Sequence, residues 1–483
     1  MSLSSSSDAA GAAVGKEGAQ ERTGFERSVG LFQAIAINMT QMCGIGPFIT
    51  IPLMVAAIGG PQAIMGWIAG AILALADGLI WAELGAAMPG AGGTYLYLRE
   101  AFQYRSGKLM PFLFVWTAVL FIPMIMSTGV IGLVQYLGFL WPNMTNWETW
   151  LVSVAVVAIV VFALWRRIGE IGFLSTVLWV IMLLSILAVT IASFTHFSPS
   201  LAFTYPAGAF TLDGKFFMGL GAGLVIGIYD YLGYNTTAYM GSEIRKPGRN
   251  IPLSIFVSIL LIMAFYLAMN IGVLGVAPVK DIIASFSVAA LVLQKTWGTV
   301  AAQIVTVLIL ITAFASVFMG LLGGSRVPYN AAKDGLFFRQ FATLHPKHHF
   351  PVLGVLTMGV LTAAFSFFPL GTVISMLTAV IVLVQGVAQV VALTVLRQRQ
   401  PTLRRPYRQW LYPVPSIIAL IGWAYAYYAA GWLPIVLSLA WIVAGVVAFL
   451  IFARVEKIWP FAPNEIKEEY LNAEAETESE SVA

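Results

Sequence analysis

One kind of segment dominates this chain and limits what it can fold into. Uncharged apolar runs of roughly 18 residues or more recur between residues 31 and 453, separated by short polar connections. Runs of this length cross a bilayer as helices, whereas a membrane strand would alternate in character over about ten residues. With 59% hydrophobic and only 10% charged residues, the composition excludes a soluble globular domain. Twelve windows are expected to span: 31–58, 61–88, 109–140, 149–165, 171–194, 215–241, 251–276, 297–323, 352–369, 372–395, 411–430 and 432–453. The fold class is an all-α integral membrane protein with 12 transmembrane helices.

Charge sets the expected orientation. With the N-terminus inside, every Lys and Arg of the 26 falls on the cytoplasmic side except Lys215, Lys280 and Lys295. Both termini are thus expected in the cytoplasm. Residues 1–29 read as a disordered tail, 30–455 as the transmembrane domain, and 456–483 as an acidic C-terminal tail. The single cysteine, Cys43, leaves no intrachain disulfide and no cysteine cluster for a metal, and a disulfide-linked partner subunit is not expected. The spans contain no His and the chain no phosphate-binding loop, so neither a metal-dependent enzyme nor an ATP-driven pump is supported. No cofactor and no nucleic-acid partner are expected.

The first window raises a geometric problem. As one straight helix, residues 31–58 would measure about 42 Å at about 1.5 Å per residue, against a hydrocarbon core of about 30 Å. Its centre reads "QMCGIGPFIT". Gly44 and Gly46 weaken a helix, and Pro47 suits the first residue of a new one. A second half-helix starting there leaves the amides of Phe48 and Ile49 unpaired, with its positive end facing the gap and able to hold a carboxylate. The carbonyls near Met42 and Cys43 would be free to bind an ammonium group. The sixth window repeats the device in "GIYDYLGYNTTAYMGSE", with Gly227, Gly233 and the ionisable Asp230 at membrane depth. Paired interruptions in two halves of a chain point to the binding site of a secondary transporter, although glycines also permit close helix packing.

Four stretches carry a resemblance. "GIGPFITIP" in the first span, "WAELGAAMPGAGGTYLYLREAF" after the second, "SEIRKPGRNIP" after the sixth and "GGSRVPYNAAKDGLF" after the eighth resemble, in order, motifs of the amino acid, polyamine and organocation transporter superfamily. The likeness covers residues 30 to 450. It implies a five-plus-five inverted-repeat (LeuT-like) fold with helices 1 and 6 broken: residues 31–196 as first repeat, 215–396 as second, and 411–453 as two extra helices. It further implies that Gly44, Ile45 and Gly46 hold a substrate carboxylate, and that Met42, Ile228 and Tyr229 supply carbonyls for the amino group. Tyr229 matches a gating aromatic, and Ser316 faces the first break where sodium-coupled relatives place a hydroxyl ligand. Two positions depart from the pattern. The fifth span holds Met182 and no Lys or Arg, which leaves proton coupling through a lysine there unsupported, and Gly320 replaces an aromatic found in some antiporters.

Of 22 acidic residues only Asp77, Glu83 and Asp230 lie within spans, where an acid costs about 2.5–3.5 kcal/mol on insertion scales. Glu83 reads as a gate or structural ion pair, and Asp77 as a hydrogen-bonded scaffold or a proton carrier. Asp230, with Gly233 in the sixth-span break, can bind a cationic substrate group or take up a proton. Glu243 is a further gate candidate. The expectation is a plasma-membrane permease moving amino acids by alternating access, in symport or antiport, with H+ or Na+ as the coupling ion. A polyamine or cationic amino acid transporter is the nearest alternative, and a non-transporting amino acid sensor is the alternative of another class.

Overall fold

The computed structural model describes residues 27–458 apart from 91, 165–170 and 347–349, with backbone alone at 171–176 and 178. The tails expected at 1–29 and 456–483 lie, except for 27–29 and 456–458, outside the described residues. The first window splits into α1 (Leu31–Met42) and α2 (Gly46–Ile58). There follow α3 (Ile64–Ala87), α4 (Thr94–Ser106), α5 (Leu109–Leu140), α6 (Asn146–Leu164), α7 (Ile171–Thr195), α8 (Gly214–Tyr231) and α9 (Pro247–Val276). The chain continues through α10 (Val288–Thr296), α11 (Thr299–Gly324), α12 (Arg326–Lys333), α13 (Val352–Phe365), α14 (Leu370–Ile381), α15 (Ala388–Arg399), α16 (Val414–Ala429) and α17 (Trp432–Val455). A π-helical turn, Val382–Val387, joins α14 to α15.

Every expected window carries helix, but among the described residues seven helices are long and apolar enough to span alone, eight if the bent pair α1 and α2 counts as one. The ninth and eleventh windows hold shorter apolar helices, α13 and α16, the fifth counts only over Trp179–Thr195 of α7, and α8 in the sixth is not among the seven. Between α1 and α2 the axis bends by 51° at a break of three residues, Cys43 to Ile45. Pro47 sits in the first turn of α2, where its missing N–H costs nothing, and Gly59 closes that helix with φ +90°, a conformation that favours glycine.

The sixth window does not break where the sequence suggested. Helix α8 runs on through Ile228, Tyr229 and Asp230 to Tyr231, and the interruption follows at Leu232 to Asn235 before a short turn, Thr236–Tyr239. Gly227 serves packing instead. A Cβ there would lie 2.6 Å from the Gly66 carbonyl oxygen, and one on Gly70 would lie 2.8 Å from the Gly227 carbonyl carbon. These three glycines bring the backbones of α3 and α8 into contact, as small residues do between membrane helices. Gly233 is the residue that turns the chain. Its φ is +112°, and a Cβ would stand 2.6 Å from that of Gln41 in α1. Helix α3 lies against α8, α9 and α16, so the second window is a central element of the bundle.

Candidate functional site

The two interruptions meet at a small cavity of about 50 Å³. Its walls come from the α1–α2 break (Met42, Gly44, Ile45, Gly46), from Tyr229 and Asp230 at the end of α8, from α5 through Ile125 to Gly129, and from Ser316 and Val317 of α11. Seven of the residues singled out in the sequence therefore line one space: Met42, Gly44, Ile45, Gly46, Tyr229, Asp230 and Ser316. Cys43 and Ile228 are buried in the helix packing around it, and Gly233 shapes the turn behind Gln41.

Among the described residues the N–H groups of Gly44, Ile45 and Gly46 find no hydrogen-bond acceptor. Three free donors thus cluster at the positive end of α2, the arrangement that attracts an anion. The amide of Phe48, expected to be free, donates instead to the Ile45 carbonyl at 3.1 Å. The unpaired donors sit about one turn earlier, because the chain starts a tight helical turn at Ile45, ahead of Pro47.

The carbonyl side also differs from expectation. Tyr266, in the middle of α9, donates its hydroxyl toward both the Met42 carbonyl (2.9 Å) and the Asp230 carbonyl (3.0 Å). One phenol therefore ties the end of α1 to the end of α8. The Met42 carbonyl is engaged, though a carbonyl has a second lone pair to offer. The Tyr229 carbonyl accepts from the Leu232 amide at 3.1 Å. Sequence reasoning missed Tyr266, since a tyrosine in an apolar run carries no signal of a partner 224 residues away.

Side chains complete the wall. The Tyr229 hydroxyl lies 2.6 Å from Thr128 Oγ1, which itself lies 2.6 Å from the Ile125 carbonyl. The carbonyl can only accept, so Thr128 donates to it and Tyr229 donates to Thr128. Tyr229 is thus pinned to α5. Ser316 Oγ stands 3.0 Å from where a Cβ on Gly44 would be, close against the first break. At Gly320 a Cβ would fall 2.0 Å from Met126 Sδ, so a methionine fills the room an aromatic would need. Asp230 Oδ2 accepts from Thr50 Oγ1 at 2.6 Å, while its Oδ1 is buried without a partner.

The remaining acids lie elsewhere. Asp77 accepts from Trp81 Nε1 (3.0 Å), Trp423 Nε1 (3.1 Å) and the Tyr234 hydroxyl (2.5 Å). Indole nitrogens only donate, so both carboxyl oxygens are occupied as acceptors and the group joins α3 to α16 and to the sixth-window turn. Glu83 is gripped by Arg397 through two bonds (2.9 and 2.5 Å), approached by Arg405 at 3.4 Å, and capped by the Gln409 amide at 2.7 Å. It fastens α3 to α15 and to the connection before α16. Glu243 takes part through its carbonyl, which accepts from Val29 at 3.1 Å, and no ion pair is made by its side chain among the described residues. A second polar knot, absent from the sequence reading, joins Thr94 to Gln389 (2.8 Å) and Tyr239 (3.2 Å), with Gln385 of the π-helical turn reaching Tyr239 at 3.3 Å. Among the described residues no group of three His, Cys, Asp or Glu could hold a metal ion.

Comparison with known proteins is consistent with this geometry. The amino acid permease profile matches residues 29–463. The serine/threonine exchanger SteT of Bacillus subtilis is 25% identical over 83% of this chain and 90% of its own. The mouse Asc-type amino acid transporter 1 is 26% identical over 84% of this chain and 77% of its own. The branched-chain amino acid permease BcaP of Bacillus subtilis is 25% identical over 49% and 51% respectively. The protein is a multi-pass membrane transporter of amino acids and not an enzyme. By the extent of the profile match, the chain belongs to the amino acid permease family, within the amino acid, polyamine and organocation superfamily.

Proposed function

We propose that the protein carries small neutral amino acids across the cell membrane by alternating access, with the substrate held at the α1–α2 break. Twelve spans in a five-plus-five inverted repeat, both termini cytoplasmic, are part of this reading. The carrying observation is the trio of unpaired amides at Gly44, Ile45 and Gly46 on the wall of the cavity. These amides receive the carboxylate at the positive end of α2. The amino group takes the spare lone pairs of the Met42 and Asp230 carbonyls, which Tyr266 holds side by side. The substrate side chain points toward Ile125, Thr128, Gly129 and Val317, a short apolar wall with one hydroxyl.

The cavity is far smaller than the about 300–1,000 Å³ of ordinary ligand clefts. An amino acid therefore enters only when a wall moves, which supports a cycle in which Tyr229 and its partner Thr128 part and close again. Relatives named for serine, threonine and branched-chain amino acids fit a neutral substrate. A polyamine reading drew on Asp230 alone, and nothing else in the wall favours a long dication.

Uptake of labelled alanine, leucine, arginine and putrescine into proteoliposomes tests the proposal. Accumulation or counterflow of alanine, blocked by unlabelled neutral amino acids, is the expected result. Strong inhibition by putrescine with none by neutral amino acids would overturn it.

A further inference from the structure

The connection between α15 and α16 is rich in arginine: Arg397, Arg399, Arg404, Arg405 and Arg408 follow closely on one another, and no acid occurs between Asp334 and Glu456. Three of the five are engaged within the chain. Arg397 grips Glu83, Arg405 donates to the carbonyls of Leu396, Gln400 and Leu403, and Arg399 lies 3.4 Å over the ring of Tyr104. Arg404 and Arg408 are exposed, and their side chains make no hydrogen bond or ion pair among the described residues. Lys246 and Arg249, at the start of α9, are in the same state. The two segments touch, since a Cβ on Gly248 would stand 2.5 Å from that of Pro406. Four uncommitted cations therefore flank one contact. Of the acids beside them, Glu83 is already held, and Glu243 is the single acid between Asp230 and Asp281.

An apolar groove ends at this patch. On α3, Leu73 packs on Gly422 of α16, and Gly78 packs on Ile255 and Ile259 of α9. At about 100° per residue, the stripe Ile68, Ile72, Leu75 and Leu79 falls between these two directions, on the side away from α8. Ile68 and Ile72 are exposed, and Leu75 and Leu79 are half-buried. The stripe is thus the floor between two walls. On the α9 side Arg249, Leu253, Phe256 and Leu260 share one helix face, at spacings of four, three and four residues. On the α16 side Ile417, Ile418 and Ile421 are exposed. Trp410 bridges the mouth, stacked on Phe256 with ring centroids 5.8 Å apart and still largely exposed, and Leu411 after it is 81% exposed. A tryptophan so placed marks the headgroup level of a bilayer.

We propose that this groove binds one anionic phospholipid from the leaflet at this end of the bundle, the cytoplasmic one in the orientation proposed above. An acyl chain lies along the α3 stripe, the glycerol rests at Trp410, and the phosphate and headgroup meet Arg249, Arg404 and Arg408, with Lys246 at the rim. A guanidinium offers paired donors to phosphate oxygens, and arginines on two segments approach one phosphate from two sides. A choline or ethanolamine headgroup would set its own positive charge among these cations, so the patch selects lipids of net negative headgroup. The site stands apart from the substrate cavity. Its lipid joins the start of α9 to the connection whose Gln409 amide holds Glu83, and so braces the joint of α3, α9 and α15.

Native mass spectrometry of the full-length protein in detergent, titrated with phosphatidylglycerol and with phosphatidylcholine of the same chains, tests the site. One phosphatidylglycerol is expected to be retained about tenfold more tightly than phosphatidylcholine. That preference is expected to vanish in Arg404→Gln/Arg408→Gln and to survive in Lys333→Gln/Arg339→Gln, which removes two exposed cations from another connection. Equal retention of the two lipids, or an equal loss in the second pair, would overturn the proposal. Leu79→Trp fills the groove floor and keeps every cation, so it is expected to weaken phosphatidylglycerol as well; unchanged retention there would refute a seat for the chain. Phosphatidylglycerol is expected to raise the melting temperature by several degrees and glycerophosphoglycerol, the headgroup without chains, to leave it unchanged. Stabilisation by the headgroup alone would assign the patch to a soluble phosphate ligand. No stabilisation by the lipid, with Arg404→Gln/Arg408→Gln melting lower in lipid-free detergent, would assign the cations to the Glu-rich segment after Asn464; either result sinks the lipid assignment.

Discussion

Tyr266 bears on the site without lining it, and its removal is informative because the shape barely changes. Tyr266→Phe keeps the ring among Trp67 and Tyr231, whose centroids are 5.1 and 5.6 Å away, but strips a donor from two buried carbonyls. A buried acceptor left bare costs about 1–3 kcal/mol. The variant is expected to melt several degrees lower and to take up alanine several-fold more slowly. Unchanged melting and uptake would show that neither break depends on this hydroxyl. Residues of the first break were legible in the sequence because Gly-Ile-Gly-Pro combines two helix-weakening positions with a helix-starting proline. Asp230 was legible as an acid out of place. Tyr266, Thr50 and Thr128 were not, since each acts through a partner more than 100 residues distant in the chain.

At the scale of elements, glycine carries two different messages that the sequence does not separate. Gly227 and Gly233 both read as signs of a broken sixth helix. The first instead lets α8 touch α3, and the second alone takes a backbone conformation that other residues avoid. The break consequently falls after Tyr231, and the side chains of Tyr229 and Asp230 are delivered by regular helix. Gly227→Leu is expected to wedge α3 from α8 and to abolish a monodisperse, thermally cooperative protein in detergent, because the obstructing atom is the Gly66 backbone oxygen and not a mobile side chain. Recovery of a wild-type melting curve would refute the close-contact account. The π-helical turn at Val382–Val387 was likewise invisible in composition, and it is where Gln385 meets Tyr239.

For the whole molecule, hydropathy gave the helical character, while seven or eight of the expected windows are long and apolar enough to span among the described residues, and the connections between windows came only with the structure. Helix α16, outside the expected repeats, sends Trp423 to Asp77 and against Gly386, 3.0 Å from where a Cβ would be. Glu83 and Arg397 tie the second window to the tenth. These links hold the frame, and the cavity sits between that frame and the α1–α2 pair bent by 51°. The central claim is that an amino acid is held at this bend. Equilibrium binding of labelled alanine to purified wild type and to Gly46→Val, each shown to be folded by its melting curve, tests it most directly. A side chain at Gly46 would collide with Asp230 Oδ1 and fill the carboxylate's place. Saturable binding to the wild type, reduced at least tenfold in Gly46→Val, is the expected result, and equal binding to both proteins would contradict the account.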